Sequence, residues 1–292
     1  MIYDVRHVTT YGYSRPVPFA RCLLRLLPRG DGGQSVQKSE LVVTPRPVER
    51  IDNICFFGNR MTTITIAKPH RDLKVEMRAR VTVNRPAPPF PGLTRHWEEV
   101  AALALASGSL APDSPVHHLF PSRLVPQVEP VVAYARESFP PRRPVLEAAS
   151  ELMRRIRSDF TYDPDATEVS TPLAEAFANR HGVCQDFAHI MIAGLRGLGL
   201  PAAYVSGYIR TIPPEGQKRL EGADASHAWV MLWCGPETGW VGLDPTNDII
   251  VADDHIVTAF GRDYADVSPL DGVLVGPGSQ KIGIAVDVIP IG

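Results

Sequence analysis

Residues 73–83, Leu73-Lys74-Val75-Glu76-Met77-Arg78-Ala79-Arg80-Val81-Thr82-Val83, alternate apolar and polar without a break. Successive side chains of a strand point to opposite faces, so this period of two describes a strand with one face buried and one wet. Leu73, Val75, Met77, Ala79, Val81 and Val83 form the buried face. One such strand cannot stand alone and needs a sheet around it. Weaker strand patterns at 2–9, 20–27, 36–43 and 60–67 supply candidates, separated by turn-forming clusters such as Pro28-Arg29-Gly30-Asp31-Gly32-Gly33. Short strands punctuated this way predict an antiparallel sandwich or barrel-like sheet.

Pro86, Pro88, Pro89 and Pro91 end that region, and the period then changes to a helical one. Helices are expected at 96–106, 128–138 and 144–158. In the last, Leu146, Ala149, Met153 and Ile156 recur at helical spacing after Pro144, and arginines crowd the final turn. Pro172 opens a short helix over 172–180. Another runs from Cys184 to Leu198, where Gly199 and Pro201 stop it. Strands are expected at 202–210, 226–233, 239–244 and 281–289, and the last returns to the N-terminal sheet.

The bulk properties narrow the partners. Hydrophobic residues make up 44% of the 292, enough to fill a core. Thirty basic against 32 acidic residues leave a net charge of -2, which gives no electrostatic reason for a nucleic-acid or anionic-membrane partner. The N-terminus lacks the apolar stretch of a secretory signal, and no apolar run is long enough to span a bilayer. Cys22, Cys55, Cys184 and Cys234 form no CxxC pair, so reduced thiols in a cytoplasmic protein are expected.

Three segments carry chemistry. Cys184 follows Gly182-Val183 and opens a helix, where unpaired N–H groups and the dipole favour a thiolate. It also suits a buried structural cysteine. His227 shares a strand face with Trp229, Met231 and Trp233, as either a shielded general base or a satisfied core histidine. Asp244, before Pro245, either initiates a turn or orients His227. Strands on both sides of Cys234-Gly235-Pro236-Glu237-Thr238-Gly239 would form a hairpin with His227 and Asp244 near one end. A Cys–His–Asp set is the minimum for nucleophilic thiol catalysis. Elsewhere, His181, Cys184 and His189 lack the second paired half of a zinc site. Cys22, Cys55 and Cys234 read as buried small hydrophobes, His117-His118 as surface, and Asp253-Asp254-His255 as a turn.

The segments Gly182-Val183-Cys184-Gln185-Asp186-Phe187-Ala188, Ala225-Ser226-His227-Ala228-Trp229 and Gly239-Trp240-Val241-Gly242-Leu243-Asp244-Pro245-Thr246-Asn247 resemble the bacterial transglutaminase-like superfamily. Leu198–Tyr208 and Gly261–Pro269 extend the match. Leu24-Arg25-Leu26-Leu27-Pro28-Arg29 resembles the β domain that often precedes the core in this group. The resemblance implies an α+β chain with a papain-like core, the cysteine's helix packed on an antiparallel sheet, preceded by an antiparallel β domain. It divides the chain into a β domain (1–85), a Pro-rich helical connection (86–143), the catalytic core (144–270) and a C-terminal strand (271–292).

It further implies Cys184 as nucleophile, His227 as base and Asp244 as orienting carboxylate, with Tyr162 as an oxyanion or pocket residue or a packing aromatic. Asp186 has helix-dipole compensation as its default role. The implied activity is that of a cysteine protease, amidase or transglutaminase-type acyltransferase. Its substrate would be a peptide or protein, and no cofactor or metal is called for. The competing expectation is a non-catalytic peptide- or partner-binding module with an idle triad.

Overall fold

The computed structural model describes residues 1–211, 225–276 and 278–291. The N-terminal strands are β1 (Ile2–Val17), β2 (Phe19–Leu24), β3 (Gln34–Thr44), β4 (Glu49–Ile54), β5 (Arg60–Ile66) and β6 (His70–Val83). The alternating run lies in β6, and all six apolar members are buried. β4 has no apolar alternation and is exposed throughout; it forms by pairing with β5.

Helices α1 (Trp97–Leu105), α2 (Glu129–Arg136) and α3 (Val145–Asp159) follow. In α3 the predicted stripe Leu146, Ala149, Met153 and Ile156 is buried, and Pro144 is its N-cap. Next come β7 (Thr161–Tyr162), α4 (Leu173–Asn179), β8 (His181–Gly182) and α5 (Cys184–Gly197). The chain closes with β9 (Ala202–Ile209), β10 (Ala225–Trp233), β11 (Trp240–Asp244), β12 (Ile249–Ile250), β13 (His255–Gly261), α6 (Tyr264–Val267), β14 (Leu270–Val275) and β15 (Gln280–Pro290). No helix among the described residues is long and apolar enough to cross a membrane.

Two four-stranded sheets, β15-β1-β6-β3 and β14-β2-β5-β4, share one core that includes Tyr3, Leu24, Ile64, Met77, Val81, Val286 and Val288. The C-terminal strand pairs antiparallel with β1, Val5 opposite Val288, because Val286 and Val288 need a buried face. β14, which the sequence does not announce, completes the other sheet against β2.

The third sheet, β12-β11-β10-β9-β13, carries the site. Phe187, Ile190 and Met191 of α5 share a core with Tyr204 of β9 and Ala228, Val230 and Leu232 of β10. The alternate β10 residues Trp229 and Met231 line a cleft of about 1030 Å³ with Phe57, Trp240 and Phe260. The surface expectation for His117-His118 fails for His118. It is fully buried, with ring centroids 5.3 Å from Trp240 and 4.9 Å from Phe260, and burial pushes its imidazole down to about 3. The composition of a proline-flanked loop gave no sign of aromatics arriving from distant strands.

Gly207 of β9 lies opposite His227 and Val257. A Cβ there would run into the carbonyl oxygen of Ile256 and come 2.6 Å from the Trp229 ring. Gly207→Ala is therefore expected to destabilise the chain by about 3 kcal/mol, as overpacking a tight site does. Denaturant unfolding checks this; an unchanged midpoint would contradict the close approach.

Candidate active site

Local sequence fixes where Cys184 sits. After α4, Arg180 takes a left-handed conformation with φ of 56°, and β8 pairs in parallel with β7, Thr161 opposite His181. Val183 is extended and caps α5. Asp186 Oδ2 accepts from the Val183 N–H at 2.9 Å and from the Thr167 hydroxyl at 2.6 Å. A Cβ on Gly182 would lie 2.6 Å from that same oxygen, so the position before the cap has to be glycine. Asp186 is thus a buried cap as well as a first-turn acid, and burial raises its pKa. The first α5 backbone bond runs from the Phe187 N–H to the Val183 carbonyl. The amides of Cys184, Gln185 and Asp186 precede it and have no partner within the helix.

The hairpin that the spacing allows does form. β10 and β11 pair with Val230 opposite Leu243 and Trp233 opposite Trp240. At its open end His227 Nε2 lies 2.8 Å from Asp244 Oδ2. Cys184 lies near enough to the His227 ring to favour its charged form. With Nε2 engaged by Asp244, Nδ1 is the nitrogen left for sulfur. The structure thus brings Cys184, His227 and Asp244 together in that order, with His227 and Asp244 buried and Cys184 partly accessible.

Electrostatics set the protonation. Burial disfavours a charged His227, but the hydrogen bonds to Asp244 and Cys184 and their negative charge outweigh it, lifting the imidazole to about 10. Burial would raise the Asp244 carboxyl, yet its donors hold it well below the usual carboxylate range. Those donors saturate it. Oδ1 accepts from the Thr246 and Asn247 amides at 3.0 and 3.3 Å. Oδ2 accepts from His227, from Asn247 Nδ2 at 2.7 Å and from His255 Nε2 at 3.1 Å.

His255 and Asn247 are the members that sequence reasoning missed. The stretch Asp253-Asp254-His255 reads as an acidic turn, but His255 opens β13 and is 1% exposed. Its only sequence signal was the β-rich Ile256-Val257-Thr258-Ala259-Phe260 that follows. Asn247 closes the Gly239–Asn247 motif, but its amide contact to Asp244 is set by the turn after β11 and not by residue type.

Tyr162 is 48% exposed, and its ring meets Phe187 edge-on at 6.4 Å. Burial, then the charge of nearby Cys184, raises its hydroxyl pKa. His181 is exposed, and His189 is buried with Nε2 accepting from the Tyr264 amide at 3.2 Å. Among the described residues, three metal-ligand-type side chains do converge within 4.8 Å, but they are His227, Asp244 and His255. They meet through one shared carboxylate oxygen at hydrogen-bond separations, so each donor atom is already spent on a neighbour. Cys22 and Cys234 are buried, and burial pushes their thiols up to about 11 and 12; Cys55 is only half-buried.

The chain is similar in sequence and fold to several known proteins. A model of the bacterial transglutaminase-like N-terminal region matches residues 3–82, and one of the transglutaminase-like superfamily matches 132–245. An uncharacterized protein of Mycobacterium tuberculosis is 39% identical over 298 residues, 99% of this chain and 92% of its own. One from Mycobacterium leprae is 32% identical over 97% of both. A protein-glutamine gamma-glutamyltransferase of Pseudomonas aeruginosa is 33% identical over 106 residues, 34% of this chain and 16% of that protein. The crystal structure of a candidate cysteine protease from Cytophaga hutchinsonii shares the fold. It has a TM-score of 0.76 across 100% of this chain and 92% of that one, at 20% identity.

Proposed function

The chain belongs to the transglutaminase-like superfamily, and from that premise we propose that it is a thiol-dependent hydrolase or acyltransferase acting on a peptide or amide bond through a Cys184 acyl-enzyme. One observation carries this reading: Cys184 at the start of α5 lies near His227, whose Nε2 is held by a buried, fully bonded Asp244. Cys184, His227 and Asp244 are assigned here as nucleophile, acid–base and orienting group.

The chemistry follows from the proton positions. Cys184 opens α5, and the start of a helix favours an anionic nucleophile there. Its sulfur attacks the carbonyl carbon. The tetrahedral oxyanion is held by first-turn amides, that of Cys184 among them. His227 Nδ1–H then protonates the departing nitrogen, and the C–N bond breaks to leave a thioester. Neutral His227 next takes a proton from water or an incoming amine, which attacks the thioester; the C–S bond breaks, the acyl product leaves, and the free sulfur and protonated His227 return to their starting state. Asp244 keeps the Nε2–H tautomer throughout. Tyr162 is proposed to border the substrate, given its exposure beside Cys184. The substrate is a peptide or protein, and the site is proposed to work without metal or cofactor.

A reaction with two acceptors tests this. A glutamine-containing protein is incubated with a labelled primary amine, and released ammonia, incorporated amine and new peptide termini are measured. Iodoacetamide is expected to modify Cys184 first of the four cysteines and to stop product formation. Turnover that survives complete Cys184 modification would overturn the assignment. An inert native protein that a neutral-pH thiol probe fails to label would favour the binding-module alternative.

A further inference from the structure

Two imidazoles share one carboxylate oxygen in this site, and they are not equivalent. His227 Nε2 is 2.8 Å and His255 Nε2 3.1 Å from Asp244 Oδ2. His227 Nδ1 is not among the buried atoms left without a partner, and nearby Cys184 favours the charged ring, so it can carry a proton at both nitrogens. The His255 ring does not have that option. Its Nδ1 is buried and has no hydrogen-bond partner among the described residues. A proton there would be an unpaired buried donor, which costs far more than it returns.

The charged groups around His255 are Asp244 from β11, His227 from β10 and Arg85 from the segment after β6. Arg85 Nη1 donates to the His255 carbonyl at 2.8 Å and adds like charge on that side. Burial, ahead of the opposing pull of Asp244, lowers the His255 pKa. The neutral ring then has one workable tautomer, with the proton on Nε2 and aimed at Asp244. The Trp229 ring, edge-on at 5.1 Å and 74°, fixes its plane.

We propose that His255 is a positioning residue: its Nε2–H anchors Asp244 Oδ2 without adding charge, so that the single positive charge of the site stays on His227. The idea rests on the proposed role of His227 and Asp244, but its central consequence can be read without turnover. A neutral donor on Oδ2 draws off part of the carboxylate's charge. Removing it makes Asp244 a stronger acceptor toward His227 and leaves its rotamer less fixed. His227 should then hold its proton more tightly, making it a poorer acid toward the leaving group.

The test compares His255→Phe, which fills the space without a donor, with His255→Gln, whose amide can donate. His227 is titrated in the full chain by NMR, and kcat and KM are measured across pH. His255→Phe is expected to move the His227 titration up by about one pH unit. It is also expected to lower kcat by about tenfold to a hundredfold, the usual loss on removing an outer hydrogen-bond partner, with KM nearly unchanged. His255→Gln should restore most of both. Should the phenylalanine variant not fold, His255→Leu serves as the donor-free member. An unmoved His227 titration in a folded donor-free variant would overturn the proposal. So would equal impairment of the glutamine and donor-free variants, which would mean His255 only fills space. If the wild type has no thiol-dependent turnover, the proposed function fails, and the NMR titration still decides the role of His255.

Discussion

Cys184→Ala is expected to lower kcat by about a millionfold while leaving the unfolding midpoint nearly unchanged. The size follows from removing a member of a catalytic unit in which each part depends on the others. No thioester can form without the sulfur, and His227 has nothing to exchange its proton with. The small effect on stability follows from position, since Cys184 is only partly buried and caps nothing; Val183 and Asp186 secure the helix start. The substitution also removes one of the groups that hold the proton on His227, so its titration should move down from about 10. Steady-state rates, a melting curve and an NMR titration check the three parts. Residual turnover within tenfold of wild type would remove Cys184 as nucleophile.

Asp244→Asn should cost about ten-thousandfold in kcat, as loss of the orienting carboxylate does in comparable triads. The amide nitrogen can be placed toward His227, where it demands the wrong tautomer, or toward the Thr246 and Asn247 amides, where it leaves donors facing donors. The pH dependence separates this from simple misfolding. In the wild type the folded-state pKa of His227 lies above its ordinary value near 6.5. Protonation of His227 therefore stabilises the fold fully below pH 6.5, and that contribution is lost as pH rises toward about 10. Residual activity that needs the imidazolium should fall over the same upper limb. Without the carboxylate, burial gains against the remaining contacts, so both the stability loss and the alkaline limb should move to lower pH. Melting temperatures and kcat between pH 6 and 10.5 would show it, and an alkaline limb unmoved from wild type would contradict the account.

Much of the fold was legible because burial imposes period. Leu73–Val83 could only be a half-buried strand, and Leu146, Ala149, Met153 and Ile156 only a helical stripe. Glycine and proline marked most boundaries, including the start of α5. β4 and β14 were not legible, since an exposed edge strand carries no buried face to impose a period and exists only through its partner.

The site divides the same way. Cys184, His227 and Asp244 were readable as residue types at element ends, and the length from 227 to 244 was enough for a hairpin. His255 and His118 were not, because what makes each one buried arrives from far along the chain: Trp229 and Asp244 for the first, Trp240 and Phe260 for the second. By itself the sequence determined the local elements and the three groups able to form a thiol triad. The tertiary structure alone decided that five donors converge on Asp244 and that two imidazoles share one of its oxygens. Local pattern records which face of a residue is buried, and only the packed strands determine what it is buried against.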